Sequence, residues 1–276
     1  MRYPFDFTEN VCEGQKRKGF GWKMKQFLKY VQRHPNDTMT VLVDGKDMFT
    51  NHDDLVLSFW DKFNRLNADV IVSSDELCRG DVCNGGEREK LLMQNLPFSR
   101  SAFANSPIAG RAWALEEALV AMLQRSWSDT EDDQVAATDL VITKLRTRSA
   151  RVVLDVNQTL FGSFLHLAPA RRGWLARQVL PLLPAVASKN SNPVQQCTDG
   201  KGTMFHNCSR VPIRTRKKTS VTLQDNVEYI IDPQSCSVRR IRSALDSNPV
   251  FWHGNWLGRQ VFNAVQKRRF DCFYSK

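Results

Sequence analysis

Apolar residues follow a helical period in four segments of the chain and form short runs in several others. In residues 21–33 the apolar side chains recur as on one face of a helix, at Met24, Phe27, Leu28 and Val31. The same spacing predicts helices over residues 54–67, 112–124 and 135–145. Apolar runs predict strands over residues 40–43, 68–73 and 151–155, and short late strands over 227–232 and 250–252. This alternation is typical of an α/β fold with a parallel sheet.

The region that begins at residue 168 departs from this pattern. Residues 168–222 are rich in Pro, Ser, Lys and Arg, which favours exposed loops over core. A chain of 276 residues suits one sizeable hydrophobic core. We therefore predict a single domain over residues 1–276 that carries a surface insertion at 168–247.

Charge adds the expectation of an anionic partner. The chain has 39 Lys and Arg against 29 Asp and Glu, a net charge of +10. Six basic residues and no acid fall in residues 15–29, and five basic residues fall in 210–218. Such segments either form a solvated face or bind phosphate, nucleotide, nucleic acid or a membrane surface. The sequence has no run of about 18 apolar residues, so we expect no transmembrane helix.

The seven cysteines predict disulfides rather than a zinc framework, because no CxxC pair is present. The short separations Cys78–Cys83 and Cys197–Cys208 suit disulfide loops in an oxidising compartment. Three glycosylation sequons, at Asn36, Asn157 and Asn207, agree with that compartment. However, the residues after Met1 contain no apolar signal core. We expect the ER or Golgi lumen, or secretion, if the N-terminus is incomplete, and the cytoplasm otherwise.

Paired acids follow the first predicted strand in VLVDGKDMF, at Asp44 and Asp47. Ligands of α/β sheets bind beyond the carboxyl ends of the strands, where these acids would lie. Two close carboxylates repel each other unless a cation lies between them, and Mg²⁺ or Mn²⁺ prefers oxygen ligands. The alternative is that Asp44 caps a turn and Asp47 is solvated.

Two further clusters carry chemistry. In FWHGNW, His253 precedes a flexible glycine, so it could complete a metal site or simply pack in the core. In EDDQ, Asp132 and Asp133 begin a predicted helix, where acids commonly act as caps. Their functional interpretation is binding or deprotonation of an acceptor hydroxyl.

Six segments together resemble a known family, the glycosyltransferase domain of the procollagen lysyl hydroxylases and its relatives. In chain order they are VLVDGKDMF, VIVSSDELC, FANSPIAG, EDDQ, VVLDVNQTLF and HGNWLGR. The resemblance covers residues 19–160 and 248–260. It implies a GT-A-like (Rossmann-like) fold with a mixed, mostly parallel sheet flanked by helices. It also implies a UDP-sugar donor and Mn²⁺ or Mg²⁺ as cofactor.

The resemblance also implies roles for individual residues. The implied metal ligands are Asp44, Asp47 and His253. The implied nucleotide-sugar contacts are Lys23 (in GFGWK), Gly254, Asn255 and Arg259. The implied catalytic or site-lining acids are Asp132, Asp133 and Asp155.

Departures from the family's pattern keep other interpretations open. Lys46 replaces a tyrosine that can stack on uracil, and Trp256 replaces a glycine. Residues 1–18 contain no convincing counterpart of the family's first strand. A truncated chain or a catalytically inactive relative would explain that difference.

We expect a transferase that moves a hexose from a UDP-sugar to a hydroxyl of a protein (hydroxylysine-like) or glycan acceptor. The competing hypothesis is a non-catalytic protein that binds polyanions or nucleic acid through its basic segments. Under the leading hypothesis no specific nucleic acid partner is expected. Sequence leaves open the sugar, the acceptor and the oligomeric state.

Overall fold

A computed structural model of the chain describes most of its predicted elements. The described residues are 11–14, 16, 18–45, 47–51, 55–75, 103–124, 128–129, 133–147, 151–164, 196–198, 204–206, 220–222, 228–241, 247–254 and 259–274. The helices in these ranges are α1 (Phe20–Val31), α2 (Leu55–Leu66), α3 (Ala112–Leu123), α4 (Asp133–Thr147) and α5 (Arg259–Tyr274). The early strands are β1 (Met39–Leu42), β2 (Met48–Thr50), β3 (Val70–Asp75), β4 (Phe103–Arg111), β5 (Val152–Asp155) and β6 (Phe161–Ser163). The later strands are β7 (Gln196–Thr198), β8 (Met204–His206), β9 (Ser220–Thr222), β10 (Glu228–Ile231), β11 (Val238–Ile241) and β12 (Phe251–His253).

The central sheet has the strand order β1-β4-β3-β5. Strand β4 is antiparallel to both of its neighbours, whereas β3 and β5 are parallel. Strands β1, β3 and β5 therefore run in the same direction, and their carboxyl ends lie at one edge of the sheet. A second sheet, β2-β12-β6, pairs β12 antiparallel to β2 and parallel to β6.

The prediction of a mixed α/β fold with helices flanking the sheets is confirmed. The prediction that the sheet is mostly parallel is wrong for the described strands. The reason is β4, which lies between β1 and β3 and turns two of the three pairings in the central sheet antiparallel.

Apolar side chains bury both faces of β3. Val70 and Val72 face one core cluster with Met24 of α1, Leu115 of α3 and Val141 of α4. Successive strand residues point to opposite faces, which is why a continuous apolar run is needed in a strand covered on both sides.

The opposite face of β3 contributes to a second cluster. There Ile71 packs with Phe59 and Phe63 of α2 and with Phe161 and Phe251 of the second sheet. The two sheets are thus joined through a shared aromatic layer. This layer fixes the second sheet, which carries His253, against the central one.

A third core joins part of the region predicted as an insertion to the elements that follow it. Tyr229 of β10 and Val238 of β11 are fully buried and pack with Trp252 and with Phe262 of α5. A disulfide between Cys236 and Cys272 ties the β10–β11 hairpin to α5. Residues 232–234 and 239 are exposed, so this part of the predicted insertion combines core and surface positions.

Several predictions fall on other parts of the chain. Cys78, Cys83 and Cys208, which belong to the two predicted disulfide loops, lie outside the described residues, as do residues 1–10. The helices of the described part include none that is long and apolar enough to span a bilayer.

Replacing both Cys236 and Cys272 with serine should lower the free energy of unfolding by about 2–4 kcal/mol, because the unfolded chain gains the freedom that the cross-link removes. The measurement is urea unfolding under non-oxidising, non-reducing conditions. Cys12→Ser, which lies outside this disulfide, is the matched control and should leave the midpoint near that of the wild type. Equal midpoints for all three proteins would contradict the predicted role of the cross-link.

Candidate functional site

A buried ion-pair network joins three distant parts of the chain. The ammonium of Lys23, on α1, lies 3.1 Å from each carboxylate oxygen of Asp44, just beyond β1. The same ammonium lies 2.6 Å from Oδ2 of Asp133, the first residue of α4. The network therefore joins two helices to the carboxyl-end edge of the central sheet.

Close backbone packing brings Lys23 to this position. A Cβ atom on Gly21 would lie 2.3 Å from the carbonyl oxygen of Ser128, so only glycine permits this approach. The backbone N–H of Trp22 donates to the carbonyl of Asp129 in the same segment. Because that segment leads into α4, the glycine places the first turns of α1 beside Asp133.

The network is buried on one side and open on the other. The side chains of Lys23 and Asp133 are 10% and 7% exposed, and that of Asp44 is 33% exposed. Burial by itself would lower the pKa of Lys23, but the carboxylates of Asp133 and Asp44 outweigh it and hold that pKa above its ordinary value of 10.5. The lysine is therefore a permanent cation, and Asp44 is the member that solvent or a ligand can reach.

His253 lies beside this network, at the end of β12. It pairs with Met48 of β2 on one side and with Ser163 of β6 on the other. The next residue, Gly254, donates its backbone N–H to the carbonyl of Asp47 at 2.7 Å. The strand pairing thus places residues 253–254 beside the backbone of Asp47, although the two segments are far apart in sequence.

Burial lowers the pKa of His253, and the negative charges of Asp44 and Asp47 oppose that shift. The imidazole is therefore neutral at pH 7. The charges of Lys23 and Asp133 also act on the imidazole electrostatically.

The metal centre that the resemblance implies is only partly assembled. Two carboxylates and a neutral imidazole are the right kinds of donor for Mn²⁺. Yet among the residues that the structure describes, no three acid, His or Cys side chains are arranged to hold a metal ion. Both oxygens of Asp44 contact the ammonium of Lys23 instead. In this arrangement the residues do not fit a bound metal.

Asp155 is explained by local structure. Its carboxylate is fully buried and accepts hydrogen bonds from the backbone N–H groups of Thr159, Leu160 and Phe161, at 2.7–2.9 Å. Burial raises the pKa of Asp155, and these hydrogen bonds oppose the shift. The acid closes the turn between β5 and β6, a structural task that requires no ligand.

The remaining predicted residues are placed as follows. A Cβ atom on Gly254 would lie 2.3 Å from the ring of Phe262, so packing against α5 already requires glycine there. Arg259 begins α5, but its side chain is not among those described. Asp132 and Asn255 lie outside the described residues.

The sequence interpretation missed two polar residues near the site. Asp75, the last residue of β3, is fully buried and accepts a hydrogen bond from Oγ of Ser163 at 3.3 Å. Ser163 is the strand partner of His253. In the sequence, Asp75 comes at the end of an apolar run, as Asp44 does. This repeated pattern could have identified Asp75 as a candidate site residue.

Comparison with protein-family models found no match for this chain, and comparison with curated proteins found no significant match.

Lys23→Met should lower the free energy of unfolding by about 3–5 kcal/mol, because it leaves buried carboxylates without their cation. Lys25→Met is the matched control on the same helix, since Lys25 pairs with Asp129 at an exposed position. Chemical denaturation of both variants provides the measurement. A Lys23 variant as stable as the Lys25 variant would refute the structural role of the network.

Stability should also depend on His253 below neutral pH. Its folded-state pKa lies below its ordinary value of 6.5, so the unfolded chain binds a proton that the folded chain does not. The contribution of the neutral imidazole to folding stability is complete above about pH 6.5 and is lost as the pH falls towards the lowered pKa. We expect His253→Asn to show a smaller drop in urea midpoint between pH 7.5 and 5.5 than the wild type. Parallel profiles for His253→Asn and the wild type would contradict this assignment.

Proposed function

We propose that this chain is a GT-A-like glycosyltransferase that transfers a hexose from a UDP-sugar to a hydroxyl of a protein or glycan acceptor. One observation carries the proposal. Lys23, Asp44 and Asp133, which the resemblance assigned to the donor and transfer site, form one ion-pair network at the carboxyl-end edge of the sheet. Asp47 and His253 lie beside it.

The chemistry of sugar transfer gives Lys23 a role at the leaving group. Negative charge develops on the nucleoside diphosphate as the sugar bond breaks, and a fixed cation in a partly buried site stabilises that charge. The Lys23 ammonium is such a cation, and it faces the open side of the site at Asp44. We assign it to the diphosphate oxygens.

The transfer also needs a group that receives or orients the acceptor hydroxyl. Asp133 is the first residue of α4, and its carboxylate accepts a hydrogen bond from the ammonium of Lys23. We assign Asp133 to the acceptor side, together with its neighbour Asp132. The resemblance also implies Mn²⁺ or Mg²⁺ at Asp44, Asp47 and His253, but the described arrangement of these residues does not fit a bound metal, so the proposal assigns no step to one.

The proposal predicts that the purified protein binds UDP. In the presence of Mn²⁺ it should also hydrolyse a UDP-sugar or transfer the sugar from it to an acceptor. Lys23→Met should reduce turnover by at least about 100-fold, the loss typical of removing one preorganised donor from a developing anion. Lys25→Met, which removes the same charge from an exposed position, should retain wild-type turnover.

The assay is release of UDP from a panel of UDP-hexoses, with and without acceptor peptides, alongside calorimetric titration of UDP. UDP binding without turnover in the wild type would indicate an inactive relative. Absence of both UDP binding and turnover would refute the proposal. If the protein neither binds UDP nor turns over a UDP-sugar, salt-sensitive binding of RNA would favour the polyanion-binding alternative.

A further inference from the structure

The last turns of α5 carry a patch of exposed aromatic side chains. Phe270, Phe273 and Tyr274 are 59%, 44% and 76% exposed, and the ring centroids of Phe270 and Tyr274 lie 4.2 Å apart. These positions are three and four residues apart, so the three rings share one face of the helix. Val261 and Val265 of the same helix are buried in the third core. The aromatic patch of residues 270, 273 and 274 is therefore separate from the contacts that hold α5 in place.

Basic side chains border the aromatic patch. Lys267 is exposed and precedes Phe270 by three residues and Tyr274 by seven, so it lies on the same face of the helix. Residues 259–274 contain four basic residues and one acid, Asp271. The helix therefore has a positive net charge next to its aromatic patch, and that charge is complementary to an anionic partner.

Contacts on the other side of the helix fix the orientation of the patch. Cys272, which directly precedes Phe273, forms the disulfide with Cys236. Nε of Arg269 donates a hydrogen bond to the carbonyl of Cys236 at 3.0 Å, and Cζ of Arg269 lies 5.2 Å from the ring centroid of Phe273. The turn that carries the aromatic rings is thus anchored to the β10–β11 hairpin. Such preorganisation reduces the entropy that is lost when a surface binds its partner.

We propose that this face of α5 docks on an anionic lipid surface. The rings of Phe270, Phe273 and Tyr274 lie at the level of the lipid headgroups, and the ammonium of Lys267 lies near the headgroup phosphates. Aromatic side chains favour the boundary between membrane and water, and each basic residue close to an anionic leaflet adds attraction.

The size of the patch favours a lipid surface over a protein partner. Three rings at these exposures present on the order of 300–400 Å². A standard protein interface takes about 800 Å² from each partner and needs a complementary shape. Binding to a lipid surface needs no such shape, because its strength scales with the buried apolar area plus the attraction to anionic lipid.

The test is cosedimentation of the full chain with vesicles of phosphatidylcholine, either alone or mixed with phosphatidylserine. The wild type should bind the mixed vesicles more tightly than the neutral ones. Added salt should weaken that binding, because it screens the attraction between Lys267 and the anionic headgroups. The proposal goes beyond the proposed function, since it concerns the surface on which the protein lies and not the sugar that it transfers.

Variants on the helix separate the two parts of the interaction. Phe270→Ser combined with Tyr274→Ser should lower partition into the mixed vesicles at least about tenfold, because less apolar area enters the interface. The matched control is Leu57→Ser, which removes an exposed apolar side chain from α2 and should bind like the wild type. Lys267→Gln should lower partition about fivefold, whereas Lys29→Gln, at an exposed position of α1, should not. Because all these side chains are exposed, the urea midpoints of the variants should stay near that of the wild type.

Equal partition of the aromatic double variant and Leu57→Ser would overturn the proposal, and so would the absence of wild-type binding to mixed vesicles at low salt. Equal partition of Lys267→Gln and Lys29→Gln would overturn the role of the ammonium. Self-association without lipid that the double variant abolishes would assign the patch to a second copy of the chain instead. These results are distinct from a failure of the proposed function, which is decided by UDP binding and UDP release.

Discussion

The burial of the Lys23 ammonium between two carboxylates is the constraint on which the site depends. A buried charge is tolerated only with close partners of opposite sign, and Asp133 and Asp44 supply them at 2.6 and 3.1 Å. Because each partner belongs to a different element, the pair fixes α1, the segment after β1 and the start of α4 relative to one another. The electrostatic requirement of one side chain thus determines this part of the site, whereas His253 is placed by the packing of the second sheet.

Three described acids lie at the carboxyl ends of strands that run in the same direction: Asp75 and Asp155 end β3 and β5, and Asp44 follows β1. Each of them has different hydrogen-bond partners. Asp155 accepts three backbone N–H groups, and Asp75 accepts the hydroxyl of Ser163. Asp44 is held by the ammonium of Lys23. Asp75 and Asp155 are fully buried, whereas the side chain of Asp44 is 33% exposed. Of these three acids, Asp44 is therefore the one that a ligand can approach.

Much of the element order followed from periodicity, because apolar spacing responds directly to burial. The helix at 21–33 and the strand at 151–155 are observed as Phe20–Val31 and Val152–Asp155. The position of β4 in the central sheet could not be predicted from periodicity, since the direction of strand pairing depends on neighbours that a sequence pattern does not identify. The role of Asp155 also could not be predicted from sequence, because an acid at the end of a strand can cap a turn or bind a ligand. Only the hydrogen-bond partners distinguish the two cases.

The association of Lys23 with Asp133 lies beyond any local pattern, since 110 positions separate them. It arises from packing: Gly21 admits the carbonyl of Ser128, α1 approaches the segment before α4, and the lysine meets the first acid of that helix. His253 reaches the same site through a separate chain of contacts, the aromatic layer that fixes the second sheet against the first. Two independent packing arrangements therefore converge on Asp44.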